Sequence, residues 1–76
     1  GEYSMMATMA QNIKDLMHGS PNWRALSGAR KKSLDCIATK LARILHGDPN
    51  HVDHYHDIAG YATLAELSIF SMEKKS

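Results

Sequence analysis

His51-Val52-Asp53-His54-Tyr55-His56-Asp57-Ile58-Ala59-Gly60-Tyr61-Ala62-Thr63-Leu64 begins as a cluster of ionisable side chains and ends as an almost unbroken apolar run. Three imidazoles, two carboxylates and two tyrosines fall within the eleven residues from His51 to Tyr61. The apolar positions recur at helical spacing: Tyr55, Ile58, Ala59, Ala62, Ala65, Ile69 and Met72 form one stripe, and Tyr61, Leu64, Leu67 and Phe70 add apolar surface beyond it. A helix over 51–73 follows, roughly 34 Å long at 1.5 Å per residue. Because it is apolar around most of its circumference, protein is expected to surround it. One short chain cannot supply that much cover, so a homo-oligomer is expected.

Upstream of this helix, Gly47-Asp48-Pro49-Asn50 reads as a helix stop and turn, with Gly47 suited to a left-handed position and Pro49 unable to continue a helix. Leu34, Ile37, Ala38, Leu41, Ile44 and Leu45 then mark the buried stripe of a preceding helix. Ser20-Pro21 reads as its N-cap and first position, which places the helix over 21–46 with a break near Ser27-Gly28. Arg24, Arg30, Lys31 and Lys32 near its start form a solvated face or an anion contact. Met5, Met6, Met9, Ile13, Leu16 and Met17 define a first amphipathic helix over 4–18, with Ser4 as N-cap and Gly19 as its stop. Glu73-Lys74-Lys75-Ser76 reads as a frayed polar tail. The fold class is therefore all-α: residues 1–76 as one small three-helix domain, a helix plus an αα-hairpin, completed by homo-oligomerisation.

Composition narrows the function. Seventy-six residues bury only about 60% of their unfolded surface, so the core of a single copy is marginal. The lone Cys36 excludes an internal disulfide, and with no histidine or acid placed to act as its base it reads as a small buried thiol. Nine basic and eight acidic residues give a net charge of +1, which supplies no whole-chain attraction for nucleic acid. The longest apolar stretch, Ile58 to Phe70, is too short for a membrane span, and the amino terminus shows no secretory pattern. A cytoplasmic protein without cofactor is expected.

The short turn makes the second and third helices pack antiparallel, so residues equidistant from it face each other. Counting outward places His46 opposite Asp53, Arg43 opposite Asp57, and Lys40 opposite Gly60 and Tyr61. Two readings follow. In one, Arg43 and Asp57 form a structural ion pair that fixes the hairpin register, with Gly60 letting the helices approach. In the other, Lys40 and Arg43 present donors to a phosphate, Asp57 orients them, and Tyr55 or Tyr61 stacks on a base or sugar. His56-Asp57 is also the dipeptide of the metal-dependent HD phosphohydrolases, and His51, Asp53 and His54 add possible ligands. Consecutive helical residues point about 100° apart, so adjacency does not put both on one metal, and no resident metal is expected.

Lys40-x-x-Arg43 followed by His51-x-Asp53-x-x-x-Asp57-Ile58-Ala59-Gly60-Tyr61-x-x-Leu64 resembles a family of small all-helical phage and prophage proteins whose function is not established. The resemblance covers mainly residues 34–65. In its helical, acid-bearing character the family is distantly similar to MazG-like all-α nucleoside triphosphate pyrophosphohydrolases, which hold magnesium with a Glu-x-x-Glu pair. Glu2, Glu66 and Glu73 are the only glutamates here, so that pair is missing. The resemblance implies a phage-encoded protein of the host cytoplasm. The leading expectation is a non-catalytic oligomeric binder of a phosphorylated nucleotide, including an immune-signalling nucleotide that a phage gains by sequestering. The alternatives are a protein-interaction or assembly module in which Arg43 and Asp57 are purely structural, and a metal-dependent nucleotide hydrolase.

Overall fold

The computed structural model describes residues 2–75, and the side-chain surroundings of 3–72. Three helices, α1 (Glu2–His18), α2 (Gly28–His46) and α3 (Val52–Lys75), are joined by a 3-10 turn at Trp23–Ala25 and by a tight turn before α3. No strand is present among the described residues.

Local chemistry moves several expected boundaries. Ser4 lies inside α1, where its carbonyl accepts from the Thr8 hydroxyl at 2.9 Å, so it is no N-cap. Ser20 does not cap α2 either: its hydroxyl donates back to the Leu16 carbonyl at 2.7 Å and helps close α1. The cap of α2 is Ser27, extended at φ −65° and ψ 159°, whose side chain accepts from the Arg30 N–H at 3.3 Å. Pro21 therefore sits in the connection, and what was expected as a break is the true start of α2. The α3 backbone is helical through Lys75, past the expected end at Glu73, while Ser76 lies outside the described residues.

The α2–α3 turn is held by polar groups. The Asp48 carboxylate accepts from the Asn50 N–H at 2.9 Å, and the Tyr55 hydroxyl donates to the Pro49 carbonyl at 2.8 Å. Gly47 is not left-handed: its φ is −118°. Glycine is needed there for space, because a Cβ would stand 2.7 Å from the Arg43 carbonyl oxygen and 3.3 Å from the Met6 methyl. Gly60 is the reverse case. A Cβ at Gly60 would meet nothing within 4 Å, so this glycine does not serve helix approach.

The architecture is one layer of helices. α2 lies in the middle with α3 packed on one flank and α1 on the other, and the outer two make no substantial contact. The Cα envelope measures 48 × 27 × 12 Å. Three helices side by side at spacings of about 8–10 Å span roughly 21–25 Å between outer Cα atoms, close to the middle dimension, and the smallest leaves no room for a second layer. The radius of gyration is 13.8 Å, against about 11.4 Å for a compact domain of this length.

A single layer has little interior. Among the described residues, Ala10, Ala38 and Ala42 are the buried apolar ones and Ser33 the buried polar one. The stripe expected to be buried on α2 is only partly so: Leu34, Ile37 and Ile44 are half-buried, whereas Leu41 and Leu45 are 38% and 63% exposed. On α3, Ile58, Tyr61 and Ala65 are half-buried, while Tyr55, Ile69 and Met72 are exposed. Leu41, Leu45 and Ile69 turn surface out of the layer that one copy does not cover, whereas Met72 Sδ lies 3.7 Å from the Arg30 guanidinium.

Helical phase sorts the two faces. At 100° per residue, Lys32, Cys36, Thr39 and Arg43 occupy one sector of α2, and Leu34, Leu41 and Leu45 the opposite one. A depression lined by Tyr3, Lys14, Thr39 and Arg43 puts Lys14 of α1 on the first side. Another, lined by Lys32, Ser33, Tyr61 and Leu64, puts that edge of α3 there too. The other side receives Met5, Met9 and Leu16 of α1, and Tyr55, Ala62 and Ile69 of α3. The layer is amphipathic, with one mainly charged face and one mainly apolar face.

Candidate functional site

The ionisable residues of the hairpin meet differently from the simple count. The cross-hairpin ion pair is Lys40–Asp57, with Nζ 2.8 Å from Oδ2, and not Arg43–Asp57. Counting along the axes ignores rotation about them: Lys40 occupies the flank of α2 that meets α3, whereas Arg43 is turned across the charged face toward α1. There it lines the depression with Tyr3 and Lys14, and among the described residues no carboxylate lies within ion-pair distance of it.

Lys40 is the more enclosed partner, its side chain 17% exposed against 39% for Asp57. Its hydrogen bond is the main reason that the Asp57 carboxyl is held below the usual carboxylate range, aided by His56 and His54 and opposed by desolvation. Tyr61, one turn further along α3, lies beside Cys36. Hydrogen bonding between phenol and thiol, and the charge of that pair, hold the Tyr61 hydroxyl above its ordinary value, with burial adding and Lys40 opposing. Lys40, Asp57, Tyr61 and Cys36 thus form one contiguous polar seam between α2 and α3.

Of the five residues expected to hold a ligand, the structure gathers Lys40, Asp57 and Tyr61, sends Arg43 to the α1 side, and uses the Tyr55 hydroxyl to tie the turn. The surface outside the seam is an open depression of about 370 Å³ along His56, Asp57, Gly60, Tyr61 and Leu64. His46, expected opposite Asp53, instead lines the methionine-bearing side of α1 with Met5 and Met9.

The histidines of the turn make a tilted ring pair and not a ligand set. The His51 and His54 rings lie 4.6 Å apart, tilted by 56°, and His51 Nε2 stands 3.7 Å from Asp53. His54 Nδ1 is buried without a hydrogen-bond partner. Desolvation of that ring, with the charges of His51, Lys40 and Arg43, holds the imidazole below its ordinary value against the pull of Asp57. Among the described residues no three His, Cys, Asp or Glu side chains converge to hold a metal, His51, Asp53, His56 and Asp57 included.

One polar cluster was not anticipated from the sequence. His18 Nε2 meets Asp35 Oδ1 at 2.8 Å, and the His18 ring stacks on Trp23 with centroids 4.4 Å apart and an interplanar angle of 27°. The 3-10 turn folds the only tryptophan back onto the end of α1. A lone tryptophan in a polar connection after a helix-terminal histidine was the available signal. A His–Asp couple also orients the base of hydrolytic sites, but no hydroxyl or thiol hydrogen-bonds His18 among the described residues. The cluster fastens the connected end of the α1–α2 pair.

Among the described residues, no helix is long and apolar enough to cross a membrane. Compared with known proteins, the chain matches no family model, no curated protein and no solved structure.

Proposed function

We propose that this chain is a protein-interaction module whose working surface is the apolar face of the helical layer, and that the Lys40–Asp57 seam is structural. The observation that carries this reading is the single-layer architecture, in which large side chains such as Met5, Leu41 and Leu45 lie outside a core of three alanines. Domains normally bury such a face against a second layer, and exposed apolar patches of this extent mark interaction sites. Lys40 and Asp57 satisfy each other, so the seam offers no free cation to a ligand. The test is the pair of substitutions Leu41→Glu and Leu45→Glu. The native protein is expected either to bind a hydrophobic dye or to associate in a way that conceals the face. The double variant is expected to lose both behaviours while keeping its helical circular dichroism. A native protein that shows neither behaviour contradicts the reading.

A second reading, small-anion binding, draws on Arg43. With Lys14, Thr39 and Tyr3 it lines a depression of about 280 Å³ on the charged face, and these donors suit a phosphate. A nucleotide panel followed by thermal shift tests it: stabilisation lost in Arg43→Ala and kept in Gly60→Ala supports a site there. No shift with any nucleotide at millimolar concentration counts against it.

A further inference from the structure

We propose that the partner on the apolar face is a second copy of this chain, stacked face to face so that two layers form one six-helix bundle. This rests on the interaction-module reading and names its occupant. The first argument is area. The chain exposes 5516 Å², whereas a compact monomer of 8.4 kDa exposes roughly 4,600 Å². The excess, roughly 900 Å², is close to the ~800 Å² that each partner contributes to a standard stable interface. One copy therefore carries about the surplus that one symmetric interface removes.

The second argument is shape and charge. A layer 12 Å thick lacks one further layer of equal footprint, and domains are built from two layers around one core. A copy of the same chain has that footprint and the same apolar face, which is the condition for an isologous contact. Most charge lies away from it: Lys14, Lys32, Lys40, Arg43 and Asp57 are on the other side. Arg30 enters the apolar sector at the end remote from the hairpin turn, where its guanidinium lies 3.7 Å from Met72 Sδ, and Lys31 and Glu66 edge that sector with opposite signs. α2 is the middle helix of each layer, which puts Leu41 and Leu45 on the midline of the interface, Leu41 nearer its centre, where truncation costs most, and Leu45 toward the hairpin turn.

The experiment is size-exclusion chromatography with light scattering, on the native chain and on Leu41→Glu, Leu45→Glu and Leu64→Glu, from micromolar to hundreds of micromolar. The native chain and Leu64→Glu, which alters the charged side, are expected to run at twice the 8.4 kDa of one chain. Both Leu41→Glu and Leu45→Glu are expected at one chain mass with helical circular dichroism. Leu45 is 63% exposed, so this substitution keeps the test informative if Leu41→Glu fails to fold. A native monomer that binds a hydrophobic dye overturns the second copy but leaves the interaction module standing. A native monomer that binds no dye overturns both. A dimer that survives Leu45→Glu and dissociates in Leu64→Glu overturns the proposal by placing the interface on the charged face.

Discussion

Replacing Gly60 with alanine should stabilise this protein, and the size of the gain follows from the geometry. Gly60 lies in the interior of α3, where glycine is about 1 kcal/mol less favourable than alanine. An added methyl would meet nothing within 4 Å, so no steric cost offsets the gain. An unfolding entropy of about 2.1 cal/mol/K per residue corresponds to about 160 cal/mol/K for this chain, so ~1 kcal/mol raises Tm by about 6 °C. Thermal melts by circular dichroism at fixed concentration read this directly. Gly47→Ala is the matched opposite: its methyl would stand 2.7 Å from the Arg43 carbonyl, overpacking of that kind costs about 1–3 kcal/mol, and Tm should fall. A Gly60→Ala protein with lowered Tm would refute the reasoning, because the space beside Gly60 would then be occupied, and the charged face would be the one packed against a partner.

Three further outcomes are expected. The folded state holds Asp57 below its ordinary 3.8, so its contribution to stability is present above that value and is lost as pH falls through the lower folded value; Asp57→Asn should flatten the acid limb of a pH–Tm profile. His54 is held below its ordinary 6.5, so the folded state favours the neutral ring and stability is lost as pH falls below 6.5; His54→Gln should remove that slope, and an unchanged profile would contradict the assignment. His18→Ala should cost about 1 kcal/mol through the lost stacking and hydrogen bond and alter the emission of the single tryptophan, whereas unchanged emission would mean that Trp23 is not held against His18.

The helices were legible because their cause is local. The apolar spacing of Met5 to Met17, of Leu34 to Leu45 and of Tyr55 to Met72 is a property of each segment, and it marks three helices without reference to the others. The turn at Gly47 to Asn50 was legible for the same reason, although the need for glycine at Gly47 is crowding against Arg43 and not backbone handedness. The polar partners were harder to read. A residue count along an antiparallel hairpin gives axial position but not rotation, and the rotation hands Asp57 to Lys40 and turns Arg43 toward Lys14. The His18–Asp35–Trp23 cluster depends on how a connection between helices folds back, which no periodic pattern records. Apolar stripes likewise show which side chains need cover but not what covers them, so Leu41 and Leu45 read as core from the sequence and lie exposed in one copy.

A short bismaleimide applied to Leu41→Cys and Leu45→Cys proteins, each in a Cys36→Ser background, asks most directly whether the apolar faces of two copies meet. Efficient coupling to twice the chain mass is expected from at least one of positions 41 and 45, and little from the native Cys36, which lies in the opposite sector of α2. Coupling through Cys36 with none from position 41 or 45 would contradict a shared apolar interface.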